Sequence, residues 1–99
     1  MLLARVKSPV VSTAKMDELG GKKLLLVEVA TVRGSDLEST GRHMVCVDVA
    51  GAGEGELVLV VMGNSSRIAP GMEEVPTDAV IVGIIDSLQA FGRDLAWKL

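Results

Sequence analysis

The residue types of a nucleophilic triad are present in this sequence, but their arrangement does not favour catalysis. Ser65 or Ser66 could supply a hydroxyl nucleophile and His43 a general base. Asp48 or Asp86 could orient the imidazole. The serines lie in the segment Gly-Asn-Ser-Ser-Arg, which lacks the Gly-x-Ser-x-Gly elbow of a strained nucleophile. Helix capping explains them better, so we predict no catalytic residues and a protein that is not an enzyme.

A metal or cofactor site within one chain is not indicated either. His43 is the only histidine and Cys46 the only cysteine, whereas a zinc site needs three or four such ligands. Asp48 and Asp86 lie within apolar segments, where an unpaired carboxylate would be costly. We expect them to be partnered by Arg67 or Arg5, by turn amides, or by water at strand ends. We predict no metal and no cofactor.

The glycine-rich stretch 51–56 suggests a nucleotide-binding loop at first inspection. It reads Gly-Ala-Gly-Glu-Gly-Glu. The dinucleotide fingerprint needs a third glycine where Glu56 stands, and a helix after it to present backbone N–H groups to pyrophosphate. An apolar strand pattern follows instead, and two glutamates would repel phosphate. We interpret the stretch as a tight turn whose glycines permit positive φ or close backbone approach.

Five apolar segments separated by turn signals predict a small all-β domain. Branched aliphatic residues are abundant, against one Phe, one Trp and no Tyr, and such residues favour strands. The stretch from Arg33 to Arg42 is predicted to be a polar loop, and Asn64–Ala69 one helical turn. No linker or internal repeat interrupts residues 1–99, which we treat as a single domain. The predicted strands are Leu2–Ser12, Lys23–Thr31, His43–Val49, Glu56–Met62 and Ala79–Leu88.

Several of these strands are apolar on both faces. We expect Ile81 and Ile85 to share one face of the last strand, opposite Val80, Val82 and Ile84. An antiparallel strand in a monomer usually keeps one polar face in water, and no long amphipathic helix is predicted to cover the second face. Burial of apolar area stabilises by about 25 cal/mol per Å². The pattern therefore predicts that copies of the chain cover one another in a homo-oligomer.

Charge and composition argue against two classes of partner. The formal net charge is −3, without the basic stripe that a nucleic-acid binder needs to neutralise phosphates. Two aromatic residues, both near the C-terminus, cannot form a base-stacking platform. No apolar run approaches the roughly 20 residues that span a bilayer. We predict no nucleic-acid or membrane partner; the alternative is an OB-like barrel that binds single-stranded nucleic acid or a small ligand.

Three segments together resemble the EutN/CcmL family, the pentameric vertex proteins of carboxysomes and of ethanolamine- or propanediol-type metabolosomes. The resemblance covers nearly the whole chain, and it departs from the family pattern at Asn64 and at the segment 68–70. The three segments are Gly-Ala-Gly-Glu-Gly-Glu-Leu-Val-Leu-Val from Gly51, Gly-Asn-Ser-Ser-Arg from Gly63, and Pro-Thr-Asp-Ala-Val-Ile-Val-Gly-Ile-Ile-Asp from Pro76.

The resemblance implies a five-stranded OB-like β-barrel with one short helical turn, assembled as a cyclic pentamer around a narrow axial opening. It implies a geometric function, in which pentagons close a cytoplasmic microcompartment shell whose flat facets are hexameric tiles. An ion pair between Arg67 and Glu56 of the same or an adjacent subunit is expected. The residues expected at subunit contacts or the axial opening are Gly51, Gly53, Gly55, Glu56, Ser65, Ser66 and Arg67.

Overall fold

A computed structural model describes residues 1–11, 23–34, 36–63 and 79–86, and the backbone of residues 89–90, 93–94 and 96–98. Apart from turns, the described residues form β-strands. No helix in this part of the chain is long and apolar enough to cross a membrane. The strands are β1 (Leu2–Val10), β2 (Lys23–Arg33), β3 (Asp36–Asp48), β4 (Leu57–Met62), β5 (Ala79–Ile85), β6 (Gln89–Ala90), β7 (Arg93–Asp94) and β8 (Ala96–Lys98).

The first five strands close into a barrel. Strand β1 pairs antiparallel with β2 and β4, β2 with β3, and β4 with β5, while β3 and β5 pair in parallel. The closed order is therefore β1-β2-β3-β5-β4-β1; β8 pairs with β3, and β6 pairs with β7. The predicted all-β, five-stranded barrel is confirmed. The OB-like label stays a prediction, and the predicted helical turn lies outside the described residues.

The segment between Arg33 and Arg42 differs from its prediction. It belongs mostly to the β2–β3 hairpin, in which Ala30 pairs with Ser39 and Arg33 with Asp36. Both faces of β3 are exposed from Ser39 to His43. This part of the strand is therefore polar on both sides, and its composition is that of a loop. A strand that is exposed on both faces lacks the apolar alternation by which strands are recognised. The prediction of a loop was wrong for this reason.

The barrel interior is filled by small and branched apolar side chains. They alternate along the strands with outward-facing residues, as the two-residue period of a strand requires. Ala52, from the turn between β3 and β4, joins them and is 3% exposed. The buried members of this cluster are Ala4, Val6, Leu25, Val27, Cys46, Ala52, Val58, Val60, Ala79 and Ile81.

A β-bulge in β5 changes which residues face the interior. Opposite β4, the register moves from Leu59–Gly83 to Val60–Ile81, so Val82 has no directly opposite residue. One extra residue reverses the inward and outward positions beyond it. Ile84 consequently packs against the interior cluster, and Ile85 packs against an outer cluster. The expectation that Ile81 and Ile85 share a face was wrong, because it assumed uninterrupted alternation.

Part of the outer apolar surface is covered within the single chain. Val47 and Val80 are fully buried although they alternate with interior residues, and partly buried aliphatic side chains surround them. Leu37 and Leu57 are also buried, in a third cluster. Val80, which the sequence pattern left for a sister copy to cover, is therefore already buried within its own subunit. Val45 on β3 differs, since 46% of it remains exposed.

Candidate functional site

The turn between β3 and β4 contains four of the residues expected at subunit contacts, and Asp48 shapes its first half. The Asp48 carboxylate accepts hydrogen bonds from the backbone N–H groups of Ala50 (2.9 Å) and Gly51 (3.1 Å) through Oδ1, and of Ala52 (2.9 Å) through Oδ2. Asp48 is 6% exposed, so these amides replace water around the carboxylate. Of the partners expected for Asp48, the structure brings the turn amides to it.

The second half of the turn closes on itself and docks on β1. The Gly53 N–H donates to Glu56 Oε1 at 2.6 Å, and the Glu56 N–H donates to the Gly53 carbonyl at 3.2 Å. Gly55 N–H donates to the Val6 carbonyl at 2.8 Å, and Val6 N–H to the Glu56 carbonyl at 2.9 Å. These bonds continue the β1–β4 ladder into the turn and hold its shape.

The backbone of this turn requires glycine at some of its three glycine positions and not at others. Gly51 and Gly55 have φ angles of 80° and 88°, a backbone region that residues with a Cβ rarely adopt. Gly53 has no positive φ, and a Cβ there would lie 3.3 Å from Glu56 Oε1, the end of an exposed side chain. The backbone of this subunit therefore does not demand glycine at position 53. All three glycines are exposed, while Ala52 anchors the turn in the barrel.

The remaining expected contact residues, Ser65, Ser66 and Arg67, lie outside the described residues. Within the described part, the Glu56 carboxylate accepts the Gly53 N–H; the ion pair with Arg67 stays a prediction. No arrangement of three or more His, Cys, Asp and Glu side chains suited to a metal ion occurs in the described portion.

The described members of the hypothetical triad belong to separate local structures. His43 Nε2 lies 4.0 Å from Glu28 Oε2, whereas the Asp48 carboxylate is held by the turn amides. Asp86 follows the end of β5 and is exposed. None of these contacts joins the imidazole to either aspartate, so the hypothetical triad is not assembled from His43 with Asp48 or Asp86.

A buried carboxylate on the outer face of the barrel was not anticipated. Glu28 on β2 is 8% exposed; it accepts a hydrogen bond from the Ser39 hydroxyl, and its Oε1 lies 3.6 Å from Lys7 Nζ. The Ser39 hydrogen bond is the main cause of a lowered Glu28 pKa; the charges of Lys7 and His43 act in the same direction and burial opposes them. The sequence feature that could have indicated this buried carboxylate is a glutamate within the apolar run Leu-Leu-Leu-Val-Glu-Val, residues 24–29.

A surface hollow lined in part by Lys7 is too small for a typical organic ligand. Its volume is about 160 Å³, against roughly 300 Å³ or more for ordinary ligand sites. Lys7, which lines it, already pairs with Glu28. The hollow gives no support to the ligand-binding alternative. Its lining residues are Arg5, Val6, Lys7, Glu54 and Gly55.

These features define a class: a small closed β-barrel with an exposed glycine turn that is held by hydrogen bonds to Asp48 and to β1. The model of the family described as ethanolamine utilisation protein EutN/carboxysome matches residues 1–86. The chain is also 47% identical over 95 residues to the carboxysome shell vertex protein CcmL of Synechocystis sp., covering 96% of this chain and 92% of that protein. The chain belongs to the EutN/CcmL family.

Solved structures agree with this assignment over most of the chain. A carboxysome subunit, CcmL, superposes with a TM-score of 0.85 at 41% identity and covers 100% of both chains. GrpN from Rhodospirillum rubrum, a pentameric microcompartment shell protein, superposes with a TM-score of 0.76 at 40% identity, covering 91% of this chain and 99% of that one. The nucleic-acid or ligand-binding alternative is not favoured by these relatives.

Proposed function

We propose that this chain is a structural subunit that forms the pentameric vertices of a bacterial microcompartment shell, of metabolosome or carboxysome type. The observation that carries the proposal is its likeness to GrpN, a pentameric shell protein 40% identical to it over 91% of the chain. Relatives described as shell vertex proteins point the same way.

The function follows from geometry rather than from chemistry. Flat facets built of hexagonal tiles cannot close, and a closed shell needs pentagons at its corners. The partners of this chain are therefore four further copies of itself and the hexameric facet proteins of the same shell in the cytoplasm. Residues 1–99 act as one domain. The chain catalyses no reaction and carries no cofactor.

The glycine-rich turn is the proposed place of subunit contact or of the axial opening. Its hydrogen bonds to Asp48 and β1 hold it in one shape, which lowers the entropy lost when a neighbour docks. Gly53 supports this placement, because its own subunit does not require glycine there. The proposed contact residues are Gly51, Gly53, Gly55, Glu56, Ser65, Ser66 and Arg67.

Nucleic acid is not a partner under this proposal. The chain carries a net charge of −3 and only two aromatic residues, so it lacks both the counterion-release term and the stacking platforms of single-strand binding.

Native mass spectrometry of the purified chain tests the proposal. We expect a dominant species of five times the 10.4 kDa subunit mass, stable on dilution to low micromolar concentration. Co-expression with hexameric facet proteins should give closed particles, and omission of this chain should give open sheets or tubes. A folded monomer at these concentrations, or closed particles formed equally well without the chain, would refute it.

A further inference from the structure

One apolar side chain on the barrel wall is left exposed where its neighbours are covered. Val45 on β3 is 46% exposed, more than any other large apolar side chain in the described strands. It stands directly opposite Leu26 of β2, and the next pair on the same face is Leu24 and Val47. Leu24 and Val47 belong to the outer apolar cluster. The exposed surface at Val45 is therefore continuous with a packed apolar layer.

Within the described residues, the strand that carries Val45 is paired along one edge over most of its length and along the other only in part. One edge of β3 pairs with β2 over most of its length. On the other edge, the described strands pair with β3 at 36–38, through β8, and at Val47 and Asp48, through β5. Between these points, no described strand pairs with the stretch 43–45 on that edge.

The polar flank of this surface is neutralised within the chain. Along β3 the outer face continues from Val45 to His43, which is paired with Glu28 in the β2–β3 register. The Glu28 carboxylate is already buried and engaged by Ser39 and Lys7. A neighbour that covers this flank therefore does not desolvate an unpaired charge, which is the usual cost of burying polar strand surface.

We infer that the outer face centred on Leu26 and Val45 is one of the two surfaces through which neighbouring subunits of the ring pack. This inference rests on the proposed pentamer. A cyclic ring uses a head-to-tail interface, so each subunit presents two different surfaces. An apolar centre with a satisfied polar margin is the composition expected of such an interface. The occupant is a second copy of this chain, since GrpN, a pentameric shell protein, shares its fold at 40% identity.

The test compares Val45→Asp with a matched control, Val32→Asp, in native mass spectrometry over a dilution series. Val32 is a similarly exposed valine (38%) on β2, in the distal part of the β2–β3 hairpin. We expect Val45→Asp to raise the subunit concentration at which half the rings dissociate by at least tenfold, and Val32→Asp to leave it unchanged. Far-ultraviolet circular dichroism should show both variants folded.

If Val45→Asp does not fold, Val45→Thr tests whether Val45 lies in the ring interface. Threonine keeps the branched shape and replaces one methyl group by a hydroxyl. It should weaken the ring in the same direction by a smaller factor. Rings of both Val45 variants as stable as wild type would overturn the inference, and so would intact rings that only fail to join facet proteins. Failure of the proposed function is distinguishable, because then the wild-type chain itself forms no pentamer.

Discussion

Removal of the Asp48 carboxylate is expected to destabilise the fold more than any exposed substitution. Asp48→Ala deletes the acceptor of three backbone hydrogen bonds of 2.9 to 3.1 Å. The bond to Ala52 N–H is buried, and an unsatisfied buried donor costs about 2 kcal/mol. The other two N–H groups are partly buried and regain some water, so we assign them about 0.5 kcal/mol each. The expected loss is about 3 kcal/mol, a large part of the ~5–15 kcal/mol stability of a typical domain.

The free energy of unfolding is measured by urea denaturation at pH 7 and one fixed subunit concentration, because ring formation stabilises the fold by mass action. Asp48→Asn should lower the free energy of unfolding by about half as much as Asp48→Ala. The asparagine carbonyl oxygen can still accept hydrogen bonds, but its NH₂ group faces one backbone N–H and cannot accept from it. Asp86→Ala, at an exposed position after β5, is the matched control and should change stability by less than about 0.5 kcal/mol. If Asp48→Ala is no less stable than Asp86→Ala, the turn does not depend on the carboxylate.

Two further predictions concern the buried carboxylate and the glycine turn. Because the folded pKa of Glu28 lies below its ordinary value of 4.5, ionised Glu28 stabilises the fold above that value, and this contribution is lost as the pH falls through the folded pKa. Glu28→Gln should therefore reduce the decline of the urea midpoint between about pH 6 and about pH 3; an unchanged acid dependence would contradict the assignment. Gly53→Val, whose Cβ would lie 3.3 Å from Glu56 Oε1 at a position without positive φ, and Arg67→Ala should weaken the ring more than they unfold the subunit. Native mass spectrometry showing intact rings for both would remove the proposed contact site.

Much of the barrel could be predicted because its strands follow local rules. Branched aliphatic runs bounded by glycine, proline and polar turns predict strands wherever one face is buried, and β4 and the starts of β1, β2 and β5 lie at or within one residue of their predicted positions. The hairpin segment 33–42 was missed because exposure on both faces removes that alternation. The segment 51–56 was predicted to be a turn whose glycines permit positive φ or close backbone approach. Gly51 and Gly55 do have positive φ angles.

The sequence by itself determined the strand-forming composition, the glycine turn and the family, because these depend on residue types and short motifs. Only the tertiary structure decided which side chains meet. Strand pairing brought Lys7 of β1, and Ser39 and His43 of β3, around Glu28 of β2. A one-residue bulge sent Ile84 inward and Ile85 outward. Register and bulges result from packing across strands distant in sequence, so no local pattern could specify them.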